Sequence, residues 1–98
     1  MILSTKSEGT TRELVLKGRI DTNSSKEFHE AMAPYFEGAT EVTLDCSKVE
    51  YISSAGLRIL LLLLKSMPRG GKLNISHAND LVREIFSITG VSSLINIL

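Results

Sequence analysis

A single cysteine, Cys46, occurs in this chain of 98 residues, so no internal disulfide can form and a reducing compartment is expected. No second cysteine or close histidine accompanies it, which excludes a thiolate metal site. At the end of an apolar strand it reads as a small hydrophobe. Neither sign of charge is in excess, because 11 lysines and arginines balance 11 aspartates and glutamates. Without a basic stripe, direct nucleic-acid binding is not expected. Long hydrophobic runs are missing too. The longest, Leu57 to Leu64, is interrupted by Arg58 and ended by Lys65, well short of the roughly 20 apolar residues of a membrane helix. Met1 to Lys6 has neither the basic segment nor the apolar core of a signal peptide. These absences predict a soluble, cytoplasmic protein with no membrane span, metal or cofactor.

Signatures of catalysis are equally sparse. Ile52-Ser53-Ser54-Ala55-Gly56 would need glycine in place of Ile52 to match the Gly-x-Ser-x-Gly nucleophile elbow. Gly70-Gly71-Lys72 lacks the spacing of a phosphate-binding loop and reads as a connection. His29 and His77 lie on different elements, without ligand spacing to each other. No catalytic residue is assigned, and the chain is read as a non-enzyme.

What is present is a foldable pattern. An apolar content of 43% and this length fit one domain spanning 1–98, with one core. Met1 to Lys6 reads as a strand, and Arg12 to Gly18 alternates as a second. Ser24 and Glu27 have capping-box spacing, and Phe28, Met32, Tyr35 and Phe36 then form a helical stripe. Pro34 should weaken that helix near its end, and Gly38 fits its stop. Glu41 to Asp45 is the third strand, leading into a short loop. Ser54 to about Ser66 is the next helix and Lys72 to Ser76 the next strand. Asn79 or Asp80 caps a helix carrying Leu81, Val82, Ile85, Phe86 and Ile88, which Gly90 ends. Ser93 to Leu98 reads as a last strand. The order β-β-α-β-α-β-α-β defines an α/β chain with right-handed crossovers onto a mixed sheet. In the leucine-rich helix, Leu57, Leu60, Leu61 and Leu64 share one face, with Ile59, Leu62 and Leu63 nearly opposite. The reading taken here buries both sets, rather than leaving the second as a docking patch.

The chemically distinctive segment is Asp45 to Leu57. It brings Ser54 to the mouth of a helix, with Ala55 and Gly56 leaving space around its hydroxyl. Helix starts gather unpaired N–H groups and the positive end of the dipole, a setting that suits a phosphate. Ser54 is therefore either a phosphorylatable switch or only an N-cap, worth about 1 kcal/mol. Asp45 is expected to cap backbone before Ser47, and Tyr51 and Ile52 to anchor the segment in the core.

This segment resembles the Asp-x-Ser-x-Val-x-Tyr/Phe-Ile/Met-Asp/Ser-Ser-Ser/Thr/Ala-Gly-Leu stretch of the anti-sigma-factor antagonists, which are built on the STAS domain. Gly18-Arg19-Ile20-Asp21 resembles the turn before that family's first helix. Val82 to Val91 resembles its last conserved helix and stop. The three motifs in order span nearly the whole chain and imply a STAS-like mixed sheet with helices mainly on one face. They are less specific for role, since STAS domains also occur in transporters and lipid-transport complexes. The resemblance implies that Ser54 accepts phosphate from a partner that is both kinase and anti-sigma factor, and that a phosphatase resets it. It also implies a partner surface of Asp21, Thr22, Asn23, Ser53, Ala55, Gly56, Leu57 and Arg58. For Asp21 a turn-capping role stands beside partner contact. At Ser53 the chain departs from the aspartate common in phosphorylated members. A further helix after the last strand, present in many members, does not follow Leu98, so contacts through it are not expected. Weak nucleotide binding is left open by the family likeness. The alternative role is a non-phosphorylated STAS interaction subunit of a lipid-transport or transporter complex.

Overall fold

A computed structural model describes residues 2–21 and 23–98, the side chain of Ser92 excepted. The strands are β1 (Ile2–Glu8), β2 (Thr11–Ile20), β3 (Glu41–Ile52), β4 (Lys72–Ser76) and β5 (Asn96–Ile97). The helices are α1 (Ser25–Phe36), α2 (Ser54–Ser66) and α3 (Asp80–Ile88), with a short 3-10 turn at Val91–Ser93. The sheet order is β1-β2-β3-β4-β5; β1 is antiparallel to β2, and every later neighbour is parallel. Each parallel step moves one place in the same direction. Crossovers of one hand along such a path put all their helices on one face of the sheet.

The register shows the same asymmetry. Leu14, Leu44, Ile75 and Ile97 stand side by side across β2 to β5, and the first three are fully buried. One residue earlier, Glu13, Thr43, Asn74 and Asn96 form the neighbouring rung. Side chains alternate along a strand, so this rung belongs to the opposite face. There Asn74 donates to Thr43 at 3.1 Å and to Glu41 at 2.7 Å, and Asn96 donates to Asn74 at 3.1 Å. Those bonds satisfy Asn74 although it is buried, as a polar group out of water requires.

Several elements differ from the sequence expectation. β3 does not give way to a loop after Asp45 but runs on to Ile52. Two register shifts, each with an extra residue on β3 opposite Val15/Lys17 and Gly18/Arg19, carry it through the polar positions. Such bulges bend and twist a strand without ending it. Asp45 sits at the first, where its Oδ1 accepts from the Ser47 N–H at 2.9 Å. The capping box at α1 is also absent. Ser24 makes no side-chain cap bond to the helix and turns back instead, accepting from the Asp21 N–H at 3.0 Å. The last strand is only Asn96–Ile97, because a 3-10 turn occupies Val91–Ser93. The first strand begins at Ile2 and runs to Glu8; Met1 lies outside the described residues.

Helix α2 also departs from the sequence expectation. Leu57, Leu60 and Leu63 are buried, whereas Leu61 and Leu64 are only partly so. Leu62 is 45% exposed and Ile59 half-buried, so the second apolar set is not interior as expected; of it, only Leu63 is. In α3, Val82 and Phe86 are buried while Leu81 and Ile88 are exposed. Asn79 is its cap, accepting from the Val82 N–H at 2.8 Å and donating to the Val49 carbonyl at 3.1 Å.

Candidate functional site

The end of β2 and the start of α2 are joined by backbone. Ile20 pairs with Ile52 in the sheet, and the Ile20 carbonyl accepts from the Ser53 N–H at 2.8 Å. Asp21, the next residue on β2's side, therefore emerges next to the first turn of α2. The approach is close because Gly56 has no side chain. A Cβ at Gly56 would stand 2.8 Å from Ile20 Cγ2, 2.9 Å from the Ile20 carbonyl and 3.1 Å from Ile52 Cγ2. Glycine here serves proximity, and its backbone has no positive φ.

The two serines divide the work at this helix start. Ser53 has extended backbone and is the N-cap; its Oγ accepts from the Gly56 N–H at 3.2 Å. Ser54 is the first helical residue and is exposed. Its hydroxyl makes no hydrogen bond to any described residue. The silent-cap role considered for Ser54 thus falls to Ser53, where the short polar side chain does what N-caps do.

Asp21 organises its own turn. Its Oδ1 accepts from the N–H groups of Asn23 at 3.1 Å and Ser24 at 3.2 Å. Arg19 flanks it, with Nε 4.0 Å from Asp21 Oδ2 and the guanidinium 4.9 Å from the Tyr51 ring centroid. This is an Asx-type turn feeding α1, and the carboxylate still reaches the surface. Thr22 lies outside the described residues.

Between α1 and α2 lies an open depression of about 550 Å³, lined by Ser25, Ser54, Ala55, Arg58, Ile59 and Leu62. Of the residues predicted from sequence, Ser54, Ala55 and Arg58 meet there. Gly56 and Leu57 were expected at the contact surface, but both are buried and shape the site from beneath. Ser25, Ile59 and Leu62 were not assigned to it. Ser25 arrives through the packing of α1 beside α2, for which the sequence has no local signal. Ile59 and Leu62 had one, since they lie on the same side as Arg58.

Burial pushes the Cys46 thiol up to about 12, leaving it neutral and unreactive. The Ser47 backbone N–H holds the Asp45 carboxyl below its usual range, against the opposing effect of burial. His77 Nδ1 lies 3.7 Å from Asp45 Oδ1. Among the described residues no three His, Cys, Asp or Glu side chains gather as metal ligands, and no helix is long and apolar enough to cross a membrane.

A five-stranded sheet with three helices and a serine-bearing helix start of this kind is a STAS arrangement. The chain belongs to the STAS-domain family: the family model described as "Mlab, STAS domain" matches residues 3–96. BtrV of Bordetella bronchiseptica, which is named as an anti-sigma factor antagonist, is 33% identical over 81 residues, 81% of this chain and 70% of that protein. The anti-sigma-B factor antagonist of Bacillus subtilis is 26% identical over 83 residues, 84% of this chain and 76% of that one. A Thermotoga maritima crystal structure described as an anti-sigma factor antagonist matches with a TM-score of 0.84 at 23% identity, covering 96% of this chain and 83% of that one. At that identity the likeness concerns fold alone, and the fold is the one expected from the three motifs.

Proposed function

We propose that this chain is an anti-sigma-factor antagonist that works by partner switching, with Ser54 as its switch. The observation that carries the reading is the division between the serines: Ser53 caps α2, leaving the exposed Ser54 hydroxyl free for chemistry. Relatives named as anti-sigma factor antagonists support the role. Unmodified, the chain binds a kinase-type anti-sigma factor through the Asp21–Asn23 turn and the exposed side of α2's first turns, and a sigma factor is released. The kinase then moves the terminal phosphoryl group of its bound nucleoside triphosphate to Ser54. The Oγ–P bond forms, the bond to the nucleoside diphosphate breaks, and the hydroxyl proton goes to a base of the kinase. The modification adds about −1.5 to −2 charges. A helix N-terminus accommodates this charge, so the fold persists while the partner surface changes. Like charge brought against a partner costs several kcal/mol, and about 1.4 kcal/mol is tenfold in affinity, so binding is switched off. A phosphatase restores the hydroxyl. The protein is substrate and ligand in this cycle, with no catalysis of its own.

The competing reading is a STAS subunit docked permanently on a transporter or lipid-transport partner. The apolar part of the same face, Ile59 and Leu62, favours it to the extent that a standing interface uses such side chains. One experiment separates the two: site-localised phosphorylation of the protein from its native host, in growth and under stress, with pull-down of partners from each sample. The switch predicts one phosphate on Ser54 that varies with conditions, and an anti-sigma factor retained only by the unmodified form. No phosphate in any condition, with one partner always retained, would overturn it in favour of the permanent subunit.

A further inference from the structure

Arg58 lines the depression together with Ser54, and among the described residues it is the one charged side chain that does so. It is exposed and makes no ion pair among the described residues. Its own helix offers no acid, because Ser54–Ser66 contains neither aspartate nor glutamate. Arg58 stands four positions after Ser54, so the two lie one above the other on the helix surface. An acid placed four residues before a base is the favourable order for such a pair. Guanidinium matches phosphate oxygens through two parallel N–H bonds.

We propose that Arg58 is the built-in counter-charge of the phosphate on Ser54, closing over it by a two-point N–H···O contact along the exposed side of α2. The inference rests on the reading of Ser54 as the phosphorylated residue and extends it. Phosphorylation then has two effects at once. It adds negative charge to the partner face, and it takes from that face the one cation lining the depression. The favourable helix end is not needed for the claim, since any residue at position 54 would share it.

The test uses the full chain with phosphoserine installed at position 54 during translation, so no kinase is required. Phosphorus NMR follows the second ionisation of the phosphate with pH in the otherwise unaltered chain, in Arg58→Gln and in Arg58→Lys. Arg58 favours the dianion, so its removal should raise the midpoint by roughly 0.2–0.4 pH unit, the size of an exposed helical ion pair. The difference should shrink at about 1 M salt, where screening reaches about 3 Å. Arg58→Lys should recover part of the shift, as a point charge without the two-point geometry. Equal midpoints in the arginine and glutamine chains would overturn the pairing. Melting of the unphosphorylated Arg58→Gln chain at the wild-type temperature shows that a shift is not misfolding. The outcomes also separate the two proposals. Equal midpoints sink the pairing and leave the switch standing, whereas absence of phosphate in the host sinks the switch and, with it, any role for the pairing in the cell, even where the installed phosphoserine shows the shift.

Discussion

On one side of α2, Gly56, Leu57, Leu60 and Leu63 are buried, while on the other Ser54, Ala55, Arg58, Ile59 and Leu62 border an open depression. Both sides are built largely from apolar residues, yet they follow different rules. The buried side is constrained by contact: Leu60 is 1% exposed, and Gly56 leaves no room for a single carbon. The open side is held more loosely: Ile59 is half-buried and still packs against the core, while Ser54, Arg58 and Leu62 are exposed. Leu62 is 45% exposed, and neither Ser54 nor Arg58 has a side-chain partner among the described residues. A helix whose open side leaves an apolar Leu62, a hydroxyl and a guanidinium exposed is suited to a second molecule. Buried and open residues are thereby separated by about half a turn of one helix.

The largest effect that would sharpen this contrast is at Leu60. Leu60→Ala should cost about 2–5 kcal/mol, through lost burial and the cavity left behind, a large share of the 5–15 kcal/mol typical of a domain. Leu62→Ala should stay within about 0.5 kcal/mol. Urea unfolding of the two variants checks this, and equal losses would erase the distinction between the sides. Gly56→Ala comes next. Alanine is the better helix former by about 1 kcal/mol, so propensity alone predicts a gain. The added carbon, however, meets the Ile20 carbonyl, which already holds the Ser53 N–H, and backbone cannot step aside as a side chain can. Overpacking of this kind costs about 1–3 kcal/mol. A net loss in the melting temperature is expected, and a stabilised variant would show that the close approach is not a constraint.

How far these features were legible in the sequence follows from their range. The order of elements along the chain was readable because alternation at Leu14 and Leu16, and the 28-32-36 stripe of α1, are local periodicities. β3 was cut short because Ser47, Lys48 and Glu50 look like a loop; parallel pairing with β2 through two bulges overrides that signal, and pairing is non-local. The capping box at Ser24 failed for a related reason: the Asp21 turn already engages the Ser24 hydroxyl. Within α2, the facing of Leu61 and Leu63 was misjudged because a nearly uniform leucine run has weak periodicity, so packing alone decides which side is inside. The place of Ser54 at the start of α2 was legible, but its neighbour's cap role was not. Two adjacent serines look alike until the backbone at Ser53 is seen to be extended and that at Ser54 helical.

That pair gives the smallest effect and the sharpest one. Ser53→Ala removes the oxygen that accepts from the Gly56 N–H and should cost about 1 kcal/mol. Ser54→Ala removes a hydroxyl with no partner among the described residues from an exposed first-turn position, and alanine favours helix, so the change should lie within about 0.5 kcal/mol. Thermal melts of both variants, set beside labelling by the host's kinases, test the division directly. If Ser53→Ala lowers stability and keeps its label while Ser54→Ala keeps stability and loses it, the two hydroxyls have separate duties. If Ser54→Ala is the destabilised one, Ser54 is the true cap. The free hydroxyl on which the switch depends would then not exist, and the permanent docking subunit would be the better account of this face.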